Sequence, residues 1–275
     1  HEGGVQGTND GIDHKVLTRI GTDNDWADMA CSRFWGYSGF AIKTNGTLWA
    51  WGKNSAGQLG IGNTQAQTAP VQVGADMDWK QVAAGCSSVL ALKTDGSLWG
   101  WGFNMYSELF GHEGKQLSPV RLGSETDWEQ VVVIDFRAYA VKKDGTLWAW
   151  GDNANNLLGF NTPTEEETTA EGNPVEVVTV PQITAPTHVT SIEGKVLTIS
   201  GCENTLSVAT GTDGVIEKVW MLGSNTDGAL GDGKGLGNGN KDIPFAKVPV
   251  HPSLKSSLKF AGMSSGQNYT VMLTT

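Results

Sequence analysis

A tryptophan pair behind an Asx-Gly dipeptide recurs along this chain of 275 residues and restricts the folds it can adopt. The stretches at 43–54, 93–104 and 142–153 read KTNGTLWAWGKN, KTDGSLWGWGFN and KKDGTLWAWGDN, and a looser copy, GTDGVIEKVWMLGSN, covers 211–225. The first three copies are about 50 residues apart, a period typical of solenoids and propellers. A pair used once could be a binding site, but a pair used at intervals indicates architecture.

A second motif has the same period. GTDNDW at 21–26, GADMDW at 74–79 and GSETDW at 123–128 align without gaps, and each final tryptophan opens a short apolar strand. The segment at 259–273, KFAGMSSGQNYTVML, resembles the strand pair that follows these tryptophans. We therefore predict one domain, 1–275, with an insertion loop at about 161–187. Its five repeat units are predicted at about 4–52, 53–102, 103–151, 152–223 and 224–275.

The residues of one unit predict how it folds and packs. Asn45-Gly46 and its counterparts are signals for two-residue type I′ hairpins. In the strand that follows, Trp99 and Trp101 share one face, while Leu98 and Gly100 share the other. Sheets with one bulky and one small face can stack as the blades of a β-propeller do. We predict an all-β propeller of about five repeats, possibly part of a seven-bladed array, whose tryptophans form core between the blades.

These motifs, together with WGKNSAGQLGIGNTQAQTAPVQV at 51–73, resemble the repeat of the regulator of chromosome condensation family, in its bacterial Trp-x-Trp-Gly type. The resemblance implies a propeller that serves as a protein-interaction platform. One branch of the family exchanges guanine nucleotide on a nuclear GTPase and binds chromatin, and a bacterial branch inhibits β-lactamases. Ser88 and Arg137 stand where the family often has histidine, and there is no basic tail. These departures disfavour the exchange-factor function.

The first and last repeats are incomplete in the sequence. The chain begins after one Trp-x-Trp-Gly strand and stops before another. Three interpretations remain open: a fragment of a longer array, a five-bladed ring with one trimmed blade, or a ring completed by a strand that a neighbouring chain donates.

Composition and motif spacing argue against several functions. A net charge of -10 disfavours a nucleic-acid or anionic-membrane partner. The sequence contains no apolar run of about 18 residues, which a membrane-spanning helix would need. Neither the three cysteines nor the five histidines show disulfide or metal spacing. GALGDGKG at 228–235 has Gly235 where a P-loop needs Ser or Thr. We predict no enzymatic activity, no metal and no cofactor.

A lengthened turn suggests where a partner binds. The first repeat carries three extra residues in SRFWGYSGF at 32–40, and GMSSGQNYT at 262–270 resembles it. Aromatic residues and arginine are favoured in binding hot spots. The predicted partner-binding residues are Phe34, Trp35, Tyr37, Arg137 and Tyr269. A simpler interpretation is that these side chains plug the channel or cap a blade.

The predicted function is a non-catalytic protein-binding platform, extracellular or displayed on the cell surface. One alternative is a lectin-like propeller, which should repeat its site residues in every blade. Another is a structural subunit of a larger assembly. Because the turn residues differ from repeat to repeat, the sequence favours a single protein partner over a carbohydrate.

Overall fold

The computed structural model describes residues 6–10, 15–32, 36–160, 166–168, 174–176, 182–202, 205–223, 243–248, 260–266 and 269–274. Almost all regular structure in these residues is β-strand, together with one 3-10 helix at Ala154–Asn156.

The first three repeats contribute strands of five to eight residues. They are β1 (Trp26–Cys31), β2 (Ser38–Lys43), β3 (Leu48–Gly52), β4 (Gln67–Gln72), β5 (Trp79–Ala84), β6 (Ser88–Lys93), β7 (Leu98–Asn104), β8 (Gly114–Arg121), β9 (Trp128–Ile134), β10 (Arg137–Lys142) and β11 (Leu147–Asp152). The later strands are β12 (Glu166–Thr168), β13 (Pro174–Glu176), β14 (Gln182–His188), β15 (Val196–Cys202), β16 (Thr205–Thr212), β17 (Val215–Gly223), β18 (Ile243–Val248), β19 (Phe260–Gly266) and β20 (Tyr269–Thr274).

The strands form antiparallel sheets that follow one another along the chain. The four-stranded sheets have the orders β1-β2-β3-β4, β5-β6-β7-β8, β9-β10-β11-β14 and β15-β16-β17-β18, and β12-β13 and β19-β20 are two-stranded. The chain is therefore all-β and built of repeated four-stranded sheets, as the sequence predicts. Each sheet begins at the Asp-Trp or equivalent motif, so the sheets cross the boundaries of the predicted sequence units. The number of blades in a complete ring stays a prediction.

The predicted insertion at 161–187 is only partly a loop. Its described residues form the β12-β13 hairpin, and residues 182–187 belong to β14, the outermost strand of the third sheet. β14 contains Pro186, and the outermost strands β4 and β8 also contain a proline, at Pro70 and Pro119. An edge strand tolerates proline because one of its sides needs no ladder hydrogen bond.

The first strand of each sheet lies next to the first strand of the following sheet, which places these strands innermost. A side chain joins them in place of a backbone ladder. The amide of Gln81 donates to the carbonyl of Val131 and accepts from its N–H, at 3.2 and 3.0 Å. Gln130 makes the same kind of bridge to the fourth sheet. Asp28 can only accept, from the N–H of Val82 at 3.2 Å, and burial raises the pKa of its carboxyl.

The second tryptophan of each pair packs between sheets. Trp101 is fully buried against Phe40, Ile42 and Leu48 of the preceding sheet, and its indole N–H donates to the carbonyl of Gln58 at 2.8 Å. Trp150 makes the corresponding bond to the carbonyl of Glu108, also at 2.8 Å. The prediction that the pair forms core between sheets is thus confirmed for these second tryptophans.

The first tryptophan of each pair has a different role. Trp99 is half-buried, and the ammonium of Lys93 lies 4.5 Å from its ring and 5.0 Å from that of Trp79. Asp76 and Asp78 pair with the same ammonium, at 2.8 and 3.0 Å. The first and third sheets repeat this clamp of two rings, one lysine and two carboxylates with Trp26, Trp49, Lys43, Asp23 and Asp25, and with Trp128, Trp148, Lys142, Glu125 and Asp127.

The predicted type I′ turn is wrong for the first three hairpins. Gly46 has a φ of +80° but Asn45 does not have a positive φ, and the Gly46 N–H donates to Lys43, whose own N–H donates to Thr47. This is a type I turn closed by a glycine bulge. The Asn45 carboxamide oxygen accepts from the N–H and hydroxyl of Thr47, and that hydroxyl accepts from the Trp49 indole. The hydroxyl therefore ties the turn to the clamp.

The fourth hairpin shows what happens without that hydroxyl. Asp213 and Gly214 both have positive φ, at +50° and +77°, and Thr212 pairs with Val215, so this turn is type I′. Val215 stands where the other repeats have Thr or Ser, and the Trp220 indole donates instead to the Thr210 hydroxyl.

Candidate functional site

One end of the stacked sheets carries the loops that differ most between repeats. We call it the loop face; it comprises the β1-β2, β5-β6 and β9-β10 connections and the segments that follow β3, β7 and β11. The opposite end carries the Asx-Gly hairpins and the clamps, and we call it the hairpin face. The repeats are nearly uniform at the hairpin face, so a partner that needs a single asymmetric site is better served by the loop face.

The Trp-Gly glycines position the loop face. Gly52, Gly102 and Gly151 have φ values of +101°, +93° and +103°. A Cβ at Gly102 would lie 2.2 Å from the carbonyl oxygen of Ser87. That carbonyl accepts from the N–H of Phe103, so the strand closes directly onto the neighbouring loop. The glycine is therefore required both by its backbone conformation and by the close approach of a second backbone.

An asparagine fixes the segment behind each glycine; Asn54 and Asn153 are fully buried and Asn104 is half-buried. The side-chain oxygen of Asn104 accepts from the N–H of Leu109 at 3.0 Å, and its amide donates to the carbonyls of Leu109 and His112. Asn54 and Asn153 hold the corresponding segments in the same way. The Trp-Gly-x-Asn motif thus sets the shape of the loop face.

The structure places Tyr37 on the loop face. Its side chain is 46% exposed, its φ is +43°, and the Lys53 ammonium lies 5.7 Å from its ring. Its carbonyl accepts from the Lys53 N–H, in the same register as Ser87. Tyr37 is therefore held in a strained conformation with its ring accessible to a partner.

The other predicted site residues have different surroundings. Arg137 is buried at the start of β10, and its Nη2 lies 3.6 Å from Oδ2 of Asp152. Its guanidinium thus stabilises the base of the β9-β10 loop. Tyr269 is the first residue of β20 and pairs with Gly266 across the β19-β20 loop. Phe34 and Trp35 lie outside the described residues.

An aromatic pair that the sequence analysis did not assign to the site lies on the second and third repeats. The rings of Tyr106 and Phe136 are 4.8 Å apart, and Met105 beside Tyr106 is 46% exposed. The first repeat has Ser55 and Ala56 where the second has Met105 and Tyr106. In the sequence, this replacement of small residues by large ones is the signal that could have identified the pair. Tyr37 lies on the same loop face, on the first repeat, and we call Tyr37, Met105, Tyr106 and Phe136 the aromatic patch.

A buried carboxyl supports this patch from below. Glu108 has no exposed surface, and its carboxylate accepts from the N–H of Tyr106 at 2.8 Å and from the Ser88 hydroxyl at 3.4 Å. Burial raises the pKa of the Glu108 carboxyl to about 7, although these hydrogen bonds lower it in part. In the first repeat the same position is Gln58, whose side-chain oxygen accepts from the N–H of Ala56 at 2.8 Å.

Glu108→Gln is expected to remove the pH dependence of stability that this carboxyl causes. A raised pKa means that the folded state binds the proton more tightly than the unfolded state does, so stability falls as pH rises from about 4.5 through about 7. The slope is about 1.4 kcal/mol per pH unit for one proton. The variant should be more stable than the parent at pH 8, because it has no carboxylate charge to bury. Gln58 in the first repeat shows that an amide fits at this position.

Urea denaturation of both proteins between pH 5 and pH 8 measures this effect. Glu113→Gln, at an exposed carboxyl in the same segment, is the matched control and should leave the slope unchanged. An equal slope in the Glu108→Gln protein would contradict the assignment.

The described residues offer little reactive chemistry. Burial raises the pKa of the Cys86 thiol to about 12, with Asp135 adding to the effect, so the thiol stays protonated at neutral pH and is a poor nucleophile. Within these residues no group of three or more His, Cys, Asp or Glu side chains could hold a metal ion. None of the helices found in them is long and apolar enough to cross a membrane.

The sequence model of the regulator of chromosome condensation (RCC1) repeat matches residues 45–92. The chain carries an RCC1 repeat. The match covers the second strand pair of the first sheet and the opening of the next, where the Trp-x-Trp-Gly and Gln-Leu-Gly motifs lie. The resemblance to the repeat of this family is therefore confirmed, whereas its assignment to a bacterial Trp-x-Trp-Gly type stays a prediction. A search of curated proteins by sequence gave no match.

Solved structures share the fold. The chain is similar to human WBSCR16 (TM-score 0.71, 19% identity), with 96% of this chain and 61% of that one covered. It is also similar to yeast RCC1 (Prp20) in a complex with Kap60 (TM-score 0.65, 18% identity), with 86% and 52% covered. A Saccharomyces cerevisiae Prp20p structure, whose description names binding to Gsp1p and histones, matches with a TM-score of 0.62 and 16% identity over 86% and 53%. The chain thus spans between 52% and 61% of the length of these proteins, and the likeness shows an RCC1-type propeller fold.

Proposed function

We propose that this chain is a non-catalytic protein-binding platform and that its partner binds the loop face at the aromatic patch. The observation that carries the proposal is the contrast between the two ends of the sheets. At the hairpin face the same clamp recurs in the first three sheets, whereas the loop face carries Tyr37 on the first repeat and the Tyr106-Phe136 pair on the next two. Asymmetry of this kind suits one protein partner.

The composition of the patch supports a protein ligand. Tyrosine, phenylalanine and methionine are enriched at protein interfaces, and rigid rings lose little conformational entropy on binding. The Trp-Gly glycines and the asparagines that follow them hold the loops in place, which reduces the cost of ordering these loops on binding. Extracellular or cell-surface placement belongs to the same proposal and rests on the acidic, sparsely charged composition alone.

The related structures agree with this function at the level of the fold. Yeast RCC1 was solved bound to Kap60, so a protein with a propeller of this type does have a protein partner. A lectin-like function is less well supported, because the tryptophans repeated in the first three sheets are engaged in the clamps and in packing between sheets. Arg137 stays part of the proposed site as a support of the β9-β10 loop, and Tyr269 stays part of it as the first residue of β20.

A photoreactive benzophenone amino acid placed at Tyr37 tests the proposal. After incubation with lysate and secreted proteins of the source organism, irradiation should join one protein to the chain, and mass spectrometry identifies it. The matched control carries the same group at Met77, an exposed residue next to the hairpin face. Purified partner should then bind the parent and lose affinity at least about tenfold with Tyr106→Ala, since hot-spot truncation costs about 2 kcal/mol or more. Equal crosslinking from both positions, or unchanged affinity, would rule out the loop face.

A further inference from the structure

An amide and a carboxyl group occupy the same buried place in two successive repeats. Gln58 in the first repeat is 2% exposed, and Glu108 in the second is fully buried. Gln58 uses both ends of its amide: Oε1 accepts from the N–H of Ala56 at 2.8 Å, and Nε2 donates to the carbonyl of Gly36 at 3.2 Å. The place therefore suits a neutral group that both accepts and donates a hydrogen bond.

Glu108 matches this pattern only when it carries a proton. Its Oε2 accepts from the N–H of Tyr106 at 2.8 Å, and its Oε1 lies 3.4 Å from the Ser88 hydroxyl oxygen. A carboxylate can only accept, whereas a carboxylic acid also has an O–H donor, and a serine hydroxyl can accept as well as donate. The protonated form of Glu108 is thus the counterpart of Gln58.

The charged groups near Glu108 do not neutralise it. The Cys86 thiol stays protonated, since burial raises its pKa to about 12 and the charges of Asp135 and Glu108 add to this. Arg137 also acts on that thiol, but its guanidinium lies 3.6 Å from Asp152. In the part of the chain that the structure describes, no lysine, arginine or histidine forms an ion pair with Glu108. Burial therefore prevails over the hydrogen bonds, and the pKa of the Glu108 carboxyl is raised to about 7.

Glu108 lies below the second-repeat part of the aromatic patch. It holds the N–H of Tyr106, whose ring packs 4.8 Å from that of Phe136. If the segment 105–108 opens, the carboxyl enters water and its pKa returns to the ordinary value of about 4.5. The closed segment thus binds the proton more tightly than the open one, so opening becomes easier as pH rises from about 4.5 to about 7.

We propose that the proton on Glu108 keeps the second-repeat part of the aromatic patch closed and that its loss weakens partner binding. The effect on binding rests on the proposed function, whereas the effect on the segment does not. A partner seated on Tyr106 and Phe136 keeps water away from the carboxyl, which again favours the neutral form. Both effects therefore have the same sign, and binding weakens as the medium becomes alkaline. By reciprocity, the partner promotes protonation of Glu108 when it binds.

Amide hydrogen exchange measured by NMR tests the segment without a partner. Protection of the Tyr106 N–H, corrected for the intrinsic effect of pH on exchange, should fall by about tenfold per pH unit between pH 5 and pH 7. The Ala56 N–H, which bonds to Gln58 at the same distance, is the internal control and should keep its protection. In Glu108→Gln the Tyr106 N–H should behave as that of Ala56 does. Constant protection at Tyr106 in the parent overturns the proposal. An equal fall at both amides overturns it too, because that reports the stability of the whole fold.

The protein captured by crosslinking at Tyr37 tests the effect on binding. Its dissociation constant for the parent, divided by that for Glu108→Gln, should rise by about threefold or more between pH 6 and pH 8.5. This ratio cancels any titration of the partner itself. His112→Gln removes a histidine of the same segment that titrates in this range, and it should leave the rise unchanged. A constant ratio overturns the coupling to binding. Capture of no protein overturns the proposed function and with it this coupling, and the exchange of the Tyr106 N–H then decides alone whether the proton closes the segment.

Discussion

Trp101→Ala is expected to lower the free energy of unfolding by about 3–5 kcal/mol. The Trp101 side chain is fully buried, packs against Trp79 at a ring distance of 6.0 Å and fills the space between the first and second sheets. Its removal leaves a cavity that neither sheet can close, because Gly60 and its neighbours are held by their own turn. The carbonyl of Gln58 also loses its indole donor. Such a loss is a large share of the stability of a typical domain, which is about 5–15 kcal/mol.

Trp99→Ala is the matched control for that experiment. It removes the same side chain two residues earlier in the same strand and on the same face, but from a half-buried clamp. The loss should be about 1–2 kcal/mol, since the ring gives up partial burial and one cation–π contact. Urea denaturation followed by circular dichroism measures both variants. Equal losses would show that the two tryptophans share one role and would contradict the division into core and clamp.

The division between the two tryptophans shows how far the sequence could be interpreted. Strand alternation correctly puts Trp99 and Trp101 on one face, and their recurrence correctly indicates packing between sheets. Neither pattern gives the position of each ring along the strand relative to the edge of the sheet. Lys93 reaches Trp99 where the Asp76-Asp78 segment ends and β5 begins, and the ion pairs there join residues that are distant in the sequence.

The turns illustrate a second limit. Asx-Gly predicts a hairpin, and all four hairpins are present, but the dipeptide alone does not select the turn type. In the first three repeats the residue after glycine is Thr or Ser, and its N–H, with the hydroxyl in the threonine repeats, bonds to the Asx side chain. Val215 offers no hydroxyl in the fourth repeat, and the turn is type I′ there. The third residue of the turn was therefore the informative one.

The candidate site was the least predictable part. The lengthened first turn directed attention to Tyr37, and the structure does place Tyr37 on the loop face. The pairing of Tyr106 with Phe136 depends on two loops from different sheets, about 30 residues apart in the chain, and no short-range periodicity encodes such a contact. Arg137 looked available because it follows a turn, but its burial is set by Asp152 on the neighbouring strand.

Gly102→Ala adds a single methyl group, and we expect it to lower stability more than any other addition of this size in the second repeat. Two costs add at this position. A non-glycine residue held at a φ of +93° is strained by about 1–3 kcal/mol, and the new Cβ would lie 2.2 Å from the Ser87 carbonyl oxygen. Because the neighbouring atom is backbone, it can move only if the β5-β6 loop separates from β7. That movement would break the bond between the Phe103 N–H and Ser87. We expect a loss of about 3 kcal/mol or more from these combined terms.

Gly74→Ala separates the two costs. Gly74 has a φ of +63°, but a Cβ there would meet no atom within 4 Å, so only backbone strain remains and the loss should be about 1 kcal/mol. The comparison by urea denaturation therefore measures how tightly β7 closes onto the β5-β6 loop. Gly102→Ala should also weaken partner binding, because Tyr106 lies four residues after this glycine on the loop face, whereas Gly74→Ala should not. Equal losses of stability in the two variants would mean that the Trp-Gly glycine is needed only for its φ and does not position the loop face.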